Sequence, residues 1–395
     1  MHIPLPEKQN IDASQLELRE ITWDLAKQNI SSQDLTENEL SKIPRNEMDP
    51  DYSLREFLVQ KERVYPTNKE DLFFHRLSDV PMAESDHPSI LSSNEQHANH
   101  AFGLFVPGSN RPEVVVYTQL RHTGARNEDG TTDYTKLPRG IDECRLYGGS
   151  KSKAADTIIF YSISATERTK FSGSLGQQLI TRIAARLRGQ TETPFFESDS
   201  AVPVLPEIKT LTTLSPVPGF NQWLAELPAD QLTFNERRVL ERHFTTDEET
   251  GLLKARNQSL DNPLTLKDSQ ELNETLKKLC LVYLNEMQPS KRGGFQPING
   301  VEDFHVARNG ALLANIHAAE DKTSQGQRYA LGMMVNYLYD DFQSHAERIK
   351  NARDGVIPMA PHLQDLYRER QIKAEHEGIV VPTTSVSTGC GTGRN

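Results

Sequence analysis

The sequence predicts a mixed α/β (α+β) chain, and three features carry that expectation. The runs FGLFV at 102–106, EVVVYTQL at 113–120 and TIIFYSIS at 157–164 are β-branched, aromatic and strand-sized. Two longer stretches, 175–187 and 268–287, repeat apolar residues at helical spacing. Between these segments lie polar stretches punctuated by Pro, Gly and Asn, the mark of generous loops. At 395 residues the chain has room for one large domain or two ordinary ones.

Taken in order, residues 1–94 read as a short helical region. In ASQLELREITWDLAKQN, Leu18, Ile21 and Leu25 recur at helical spacing, and Thr36 with Glu39 forms a capping box. Prolines at 44, 50 and 66 interrupt it, and the polar stretch 82–99 marks a boundary. The main body then runs over 95–352. FGLFV and EVVVYTQL, joined by GSNRP, predict a hairpin-like pair. The connection 121–149 is long and rich in Gly, Asp, Thr and Lys, as functional or disordered loops are.

After TIIFYSIS, the residues Leu175, Leu179, Ile180, Ile183 and Leu187 form an apolar stripe that stops at Gly189. Leu272, Leu276, Leu279, Tyr283 and Met287 line a second helix. Residues 311–316 and 332–339 read as strands, and 342–352 and 363–376 as helices. The last part, 353–395, is a helix followed by the small, polar tail VVPTTSVSTGCGTGRN, expected to be mobile.

Composition excludes several classes. A formal charge of −11 argues against nucleic-acid binding, which draws its affinity from a basic surplus. The apolar runs are far short of a membrane span. Three scattered cysteines, Cys144, Cys280 and Cys390, favour a reducing compartment over a disulfide framework. MHIPLPEKQN has neither a basic region nor an apolar run, so no secretory signal is expected and the protein reads as cytosolic.

Three constellations carry chemistry. The first is TIIFYSIS with the loop and helix after it. A helix start presents unpaired N–H groups and the positive end of the dipole to an anion. Gly173 and Gly176 allow close approach, and Arg168 and Lys170 supply charge. The GNAT acyltransferase fold cradles the pyrophosphate of coenzyme A in this way, although an ordinary strand-to-helix turn has the same outline. The second is TLSPVPGF at 213–220, where Pro216 and Pro218 fix the backbone around Ser215. It suits an aimed hydroxyl, and equally a rigid capping loop. The third is FHVARNGA at 304–311, with His305 four residues before Asn309-Gly310. Histidine is the side chain best suited to proton transfer near neutrality, but it is also a common structural residue. Two patterns are set aside. GGSKSK at 148–153 lacks phosphate-loop spacing, and the His97/His100 pair lacks a third zinc ligand.

TIIFYSIS with its loop and helix, then LSPVPGF, FHVARNGA and GMMVNYLYD, together resemble the catalytic domain of malonyl-CoA decarboxylases. That family carries, in this order, segments like IFYSIS, LSPIPGF, HLxNGA and MxNYxY, and the likeness covers about residues 95–345. It implies a GNAT-like, acyl-CoA-binding α/β domain preceded by a helical oligomerisation domain, so a homo-oligomer is expected. It implies that Phe171, Ser172, Gly173, Ser174, Leu175, Gly176 and Gln177 bind the CoA moiety, next to the charge read above for Arg168 and Lys170. It also implies that Ser215 and His305 are catalytic, that Tyr339 joins them, and that Asn309 shapes the pocket. Phe171 and Ser172 stand where the family tends to carry Gln and Gly.

The expected reaction is loss of CO₂ from malonyl-CoA or a related thioester, as in fatty acid metabolism, without a metal or a cofactor beyond coenzyme A itself. Acyl carrier protein is an alternative carrier. Two other readings stand beside it: a GNAT-type acyltransferase acting on an amine, and a non-catalytic acyl-CoA-binding module.

Overall fold

FGLF of the first run, EVVVYTQL and TIIFYSIS are strands, as their branched and aromatic side chains predict. The computed structural model describes residues 16–20, 99–105, 107, 112–140, 155–165, 174–187, 208–256, 270–291, 293–321, 324–339 and 344–379. The chain divides into two units, Met1–Pro138 with Asp142–Thr213, and Arg139–Ile141 with Leu214–Asn395.

In the first unit, β2 (Asn99–Phe105) pairs antiparallel with β3 (Pro112–Arg121), and β3 antiparallel with β4 (Thr157–Ala165). β4 runs parallel to β5 (Thr210–Thr213). Parallel neighbours need a crossover, and helix α1 (Ser174–Leu187) lies within it. Leu175, Leu179, Ile180 and Ile183 are all buried against the sheet, as the stripe predicts. Burying each such side chain is worth about 1.5–3 kcal/mol.

One expectation is overturned here. The segment around Leu18, read as helix, forms strand β1 (Glu17–Glu20), paired antiparallel with β2 so that Leu18 faces Leu104. Leu16 and Leu18 alternate into the interior, a period of two hidden inside an apparent helical spacing. The buried Arg182 of α1 donates from Nη1 to the Leu16 carbonyl at 2.6 Å. Tertiary pairing at the β2 edge overrides local propensity. Ile21, Leu25 and the Thr36/Glu39 capping box lie outside the described residues.

The described part of the long polar connection folds back on Asp156. Its carboxylate accepts from the Thr123 and Gly124 backbone N–H groups at 2.8 and 2.9 Å and lies 3.2 Å from His122 Nδ1.

The second unit begins with the two-residue strand β6 (Ser215–Pro216), followed by α2 (Phe220–Glu226) and α3 (Phe234–His243). The hairpin β7 (Phe244–Thr246)/β8 (Leu253–Ala255) leads to α4 (Gln270–Leu284) and the hairpin β9 (Met287–Pro289)/β10 (Phe295–Pro297). A helical turn, Gly300–Glu302, runs into a π-helical turn, Asp303–Arg308. Then come β11 (Leu312–His317), α5 (Ser324–Ala330), β12 (Met334–Leu338), α6 (His345–Arg353) and α7 (Pro361–His376).

Strand β12 is antiparallel to both β11 and β6. α4 buries Leu272, Leu276, Leu279 and Tyr283, the face read from the sequence, while Met287 opens β9 instead of ending the helix. α2, α3 and α7 pack on α4. α3 starts with a capping box of Thr233 and Glu236, and Arg370 of α7 reaches Glu236 at 3.2 Å as a buried ion pair. No helix among the described residues is long and apolar enough to cross a membrane.

Candidate active site

Ser215 sits in a loop fixed from several sides. It pairs with Val335 of β12, and Pro216 with Met334. The Pro218 carbonyl accepts from Tyr283 Oη at 2.8 Å and from Asn299 Nδ2 at 2.9 Å. Gly219 then turns the chain into α2 with φ of 81°, and a Cβ there would sit 2.7 Å from Tyr283 Oη. This is the left-handed region where glycine alone is unstrained. Asn221, buried in the first turn of α2, ties the segment to Leu253 and to the Arg328 carbonyl. Strand pairing and the two hydrogen bonds to the Pro218 carbonyl thus hold the segment that the two prolines were expected to fix.

His305 is placed by the same asparagine. Asn299 caps the helical turn by accepting from Val301 and Glu302 N–H with Oδ1, while its Nδ2 holds Pro218. The backbone then widens into the π turn that carries His305. Such turns occur often at functional sites because they redirect a side chain without ending the helix.

The His305 ring is buried, and its Nδ1 lies 2.7 Å from Tyr339 Oη, a hydrogen bond. It stacks on Tyr337 with centroids 4.6 Å apart and meets Phe304 edge-on at 4.9 Å. Burial pushes its pKa down to about 3, so the imidazole is neutral near neutrality.

Along β12 the side chains alternate, so Val335 and Tyr337 share a face and Tyr339, just past the strand, continues it. Asn336 points the other way, accepting from His317 Nε2 at 2.7 Å. Directly opposed residues of an antiparallel pair lie on one face. Ser215, opposite Val335, therefore faces the side that carries Tyr337, Tyr339 and His305. The second unit thus joins His305 to Tyr339 and sets Ser215 on the strand face from which Tyr339 projects.

Asn309 closes the π turn. It is buried, its Nδ2 donates to the Phe304 carbonyl at 2.7 Å, and its Oδ1 has no hydrogen-bond partner among the described residues. Gly310 follows with φ of 65°, packed so closely that a Cβ would meet His345 at 2.5 Å.

Two residues of this cluster escaped the sequence reading. Tyr337 donates to Glu302 Oε2 at 2.5 Å, and Glu302 is fully buried. Burial pushes the Glu302 carboxyl up to about 8. The signal for Tyr337 was available: on a strand, the two tyrosines of NYLY point to the same side. Glu302 had only its position one turn before His305.

The CoA-binding residues expected in the first unit are described in part. Arg168, Lys170, Phe171, Ser172 and Gly173 lie outside the described residues. Ser174, Leu175, Gly176 and Gln177 form the first turn of α1, with Leu175 and Gly176 buried and Gln177 half-buried.

The fold and the cluster define an α/β protein with a buried His–Tyr pair and a serine followed by proline on the neighbouring strand. The model of the malonyl-CoA decarboxylase C-terminal domain matches residues 147–377. Malonyl-CoA decarboxylase, mitochondrial, of Anser anser anser is 32% identical over 243 residues, which is 59% of this chain and 42% of that protein. The Mus musculus protein of the same name is 30% identical over 240 residues, or 58% of this chain and 42% of that one. Among solved structures, malonyl-CoA decarboxylase from Rhodopseudomonas palustris aligns with a TM-score of 0.51 at 22% identity, covering 90% of this chain and 63% of that one. The structure of malonyl-CoA decarboxylase from Agrobacterium vitis gives 0.53 at 20% identity, covering 90% and 68%.

The chain belongs to the malonyl-CoA decarboxylase family. It spans 42% of the length of the curated relatives it matches.

Proposed function

We propose that this protein is a carboxy-lyase that converts malonyl-CoA, or a closely related malonyl-type thioester, into the corresponding acyl-CoA and CO₂. The observation that carries the reading is the buried His305–Tyr339 hydrogen bond, with Ser215 held on the same face of the sheet. Membership of the family supports it.

The thioester carbonyl lies β to the carboxylate, so it accepts the electron pair as the carbon–carbon bond breaks. That internal electron sink is why no metal or further cofactor is required. The product of this step is CO₂ and a thioester enolate, which must then be protonated on carbon.

Ser215 hydrogen-bonds the malonyl carboxylate and orients it so that the breaking bond aligns with the carbonyl π system. His305 acts as general acid. A neutral imidazole suffices, because an enolate carbon is far more basic than an imidazole nitrogen. His305 gives its Nε2 proton to the carbon while Nδ1 takes the hydroxyl proton of Tyr339; after product leaves, Nδ1 returns that proton to Tyr339 as solvent reprotonates Nε2. One proton is taken up for each CO₂ released. The burial of the pair keeps water from competing for the carboxylate.

In the first unit, the turn at the start of α1 has the polarity to hold the pyrophosphate of coenzyme A, in the manner of a GNAT fold. The reading extends to a cytosolic enzyme acting on free CoA or carrier-bound thioesters.

The test is mass spectrometry of the protein incubated with malonyl-CoA or methylmalonyl-CoA, beside His305→Ala. Acetyl- or propionyl-CoA formed by the wild type alone supports the proposal. Intact thioesters with both proteins, or equal conversion by the variant, would overturn it.

A further inference from the structure

The proposed reaction uses Ser215, His305 and Tyr339 but gives no task to Glu302, whose side chain is wholly buried. A buried carboxyl is costly and is seldom kept without its hydrogen bonds complete. Here Oε2 accepts from the Tyr337 hydroxyl at 2.5 Å, and Oε1 has no partner among the described residues. The Tyr337 ring, at its other end, lies 4.6 Å from the His305 imidazole at an interplanar angle of 19°. One aromatic side chain thus joins the carboxyl to the reacting ring.

The groups around Glu302 come from several elements. Tyr337 and Tyr339 reach in from β12 and its end. Cys280 of α4 has its thiol pushed up by burial and by the Glu302 carboxyl. Asp303, next in the chain, is ion-paired with Arg308, and His345 of α6 meets Tyr339 edge-on. With His305 neutral, Glu302 sits among uncharged neighbours apart from that ion pair.

We propose that Glu302 is a positioning residue of this site: its carboxyl fixes the Tyr337 hydroxyl, and the Tyr337 ring fixes the plane in which His305 meets Tyr339. This inference rests on His305 being the reacting group. It has a second consequence. Ionisation of Glu302 as pH rises through about 8 changes its hydrogen bond with Tyr337 and so disturbs the ring on which His305 stacks.

The experiment compares wild type, Glu302→Gln, Glu302→Ala and Tyr337→Phe in the full chain. Turnover of malonyl-CoA is measured from pH 6 to 9. In parallel, ¹³C-histidine NMR follows the His305 ring, assigned with His305→Gln. Glu302→Ala is expected to lose at least roughly tenfold in kcat with KM changed little. Glu302→Gln, which keeps an acceptor but cannot ionise, restores most of that loss and abolishes the alkaline fall in rate. The His305 resonance of the wild type shifts with a midpoint near the Glu302 value, and that of Glu302→Gln does not.

Equal kcat in folded Glu302→Ala and wild type would overturn the proposal, as would an unresponsive His305 resonance over this range. If Glu302→Ala does not fold, Tyr337→Phe takes its place, with the same loss of kcat expected and wild-type turnover overturning the idea. A wild type that leaves malonyl-CoA intact sinks the decarboxylase reading instead, and the NMR titration then decides the role of Glu302 alone.

Discussion

Burying Glu302 and His305 side by side gives the stability of this protein two opposed dependences on pH. The Glu302 carboxyl moves from an ordinary 4.5 to about 8 in the folded chain. Its folded-state value is raised, so its contribution is fully present below 4.5 and is lost as pH climbs towards 8. At about 1.4 kcal/mol for each unit of pKa, that interval is worth roughly 5 kcal/mol at most. His305 moves the other way, from an ordinary 6.5 to about 3. The unfolded chain then binds the extra proton, so stability rises with pH between 3 and 6.5, by an amount of similar size. From 4.5 to 6.5 the two slopes oppose, and the wild type is flatter than either group alone would make it.

Single substitutions separate them. Relative to wild type, Glu302→Gln should gain about 1.4 kcal/mol in unfolding free energy for each pH unit between 5 and 8. His305→Gln should lose by comparison as pH rises from 4 to 6.5, and then run level. Urea titrations at pH 4, 5, 6.5 and 8 read both, provided each transition is two-state. Differences that stay constant across the series, within about 1 kcal/mol, would mean that neither group is buried in its ordinary uncharged form. The site would then not hold a neutral carboxyl and a neutral imidazole in its interior.

Two further outcomes are expected. Tyr339→Phe removes the partner of His305 Nδ1 and the proton relay with it, so kcat for malonyl-CoA should fall by about a hundredfold with little change in KM. Wild-type turnover by this variant would remove Tyr339 from the mechanism. Gly219→Ala should cost about 2–3 kcal/mol in urea denaturation, from a left-handed backbone and a displaced Tyr283–Pro218 hydrogen bond. A change below about 0.5 kcal/mol would show that the serine loop is not anchored as described.

The strands and long helices were legible because their side chains repeat with the period of the element. The stripe Leu175, Leu179, Ile180 and Ile183 is buried as read. Around Leu18 the same reasoning went astray, because Leu16 and Leu18 obey a period of two only when β2 is there to receive them. Ser215 stood out for a local reason, its flanking prolines, and His305 for its chemistry. What joins them is non-local. Asn299 bridges Pro218 and the turn before His305 across 81 residues of sequence. The Glu302–Tyr337 bond spans 35 residues, and no spacing rule anticipates it. Buried polar networks are the least readable part of a sequence, because each member looks like a surface residue until its partner is known.

The π turn ties these points together. The family pattern HLxNGA places the Asn-Gly pair three residues after the histidine, whereas FHVARNGA places it four residues after. An α-helical turn closed from i to i+4 would rotate the extra residue into the chain and swing either His305 or Asn309 off the interior face. A turn closed from i to i+5 takes up one more residue, and both side chains stay buried. The Ala311 N–H then reaches back to the His305 carbonyl at 3.0 Å, sealing the exit into β11. The longer spacing and the unusual helix are therefore one fact seen twice. The widened backbone keeps His305 over Tyr337 and in reach of Tyr339 despite the added residue.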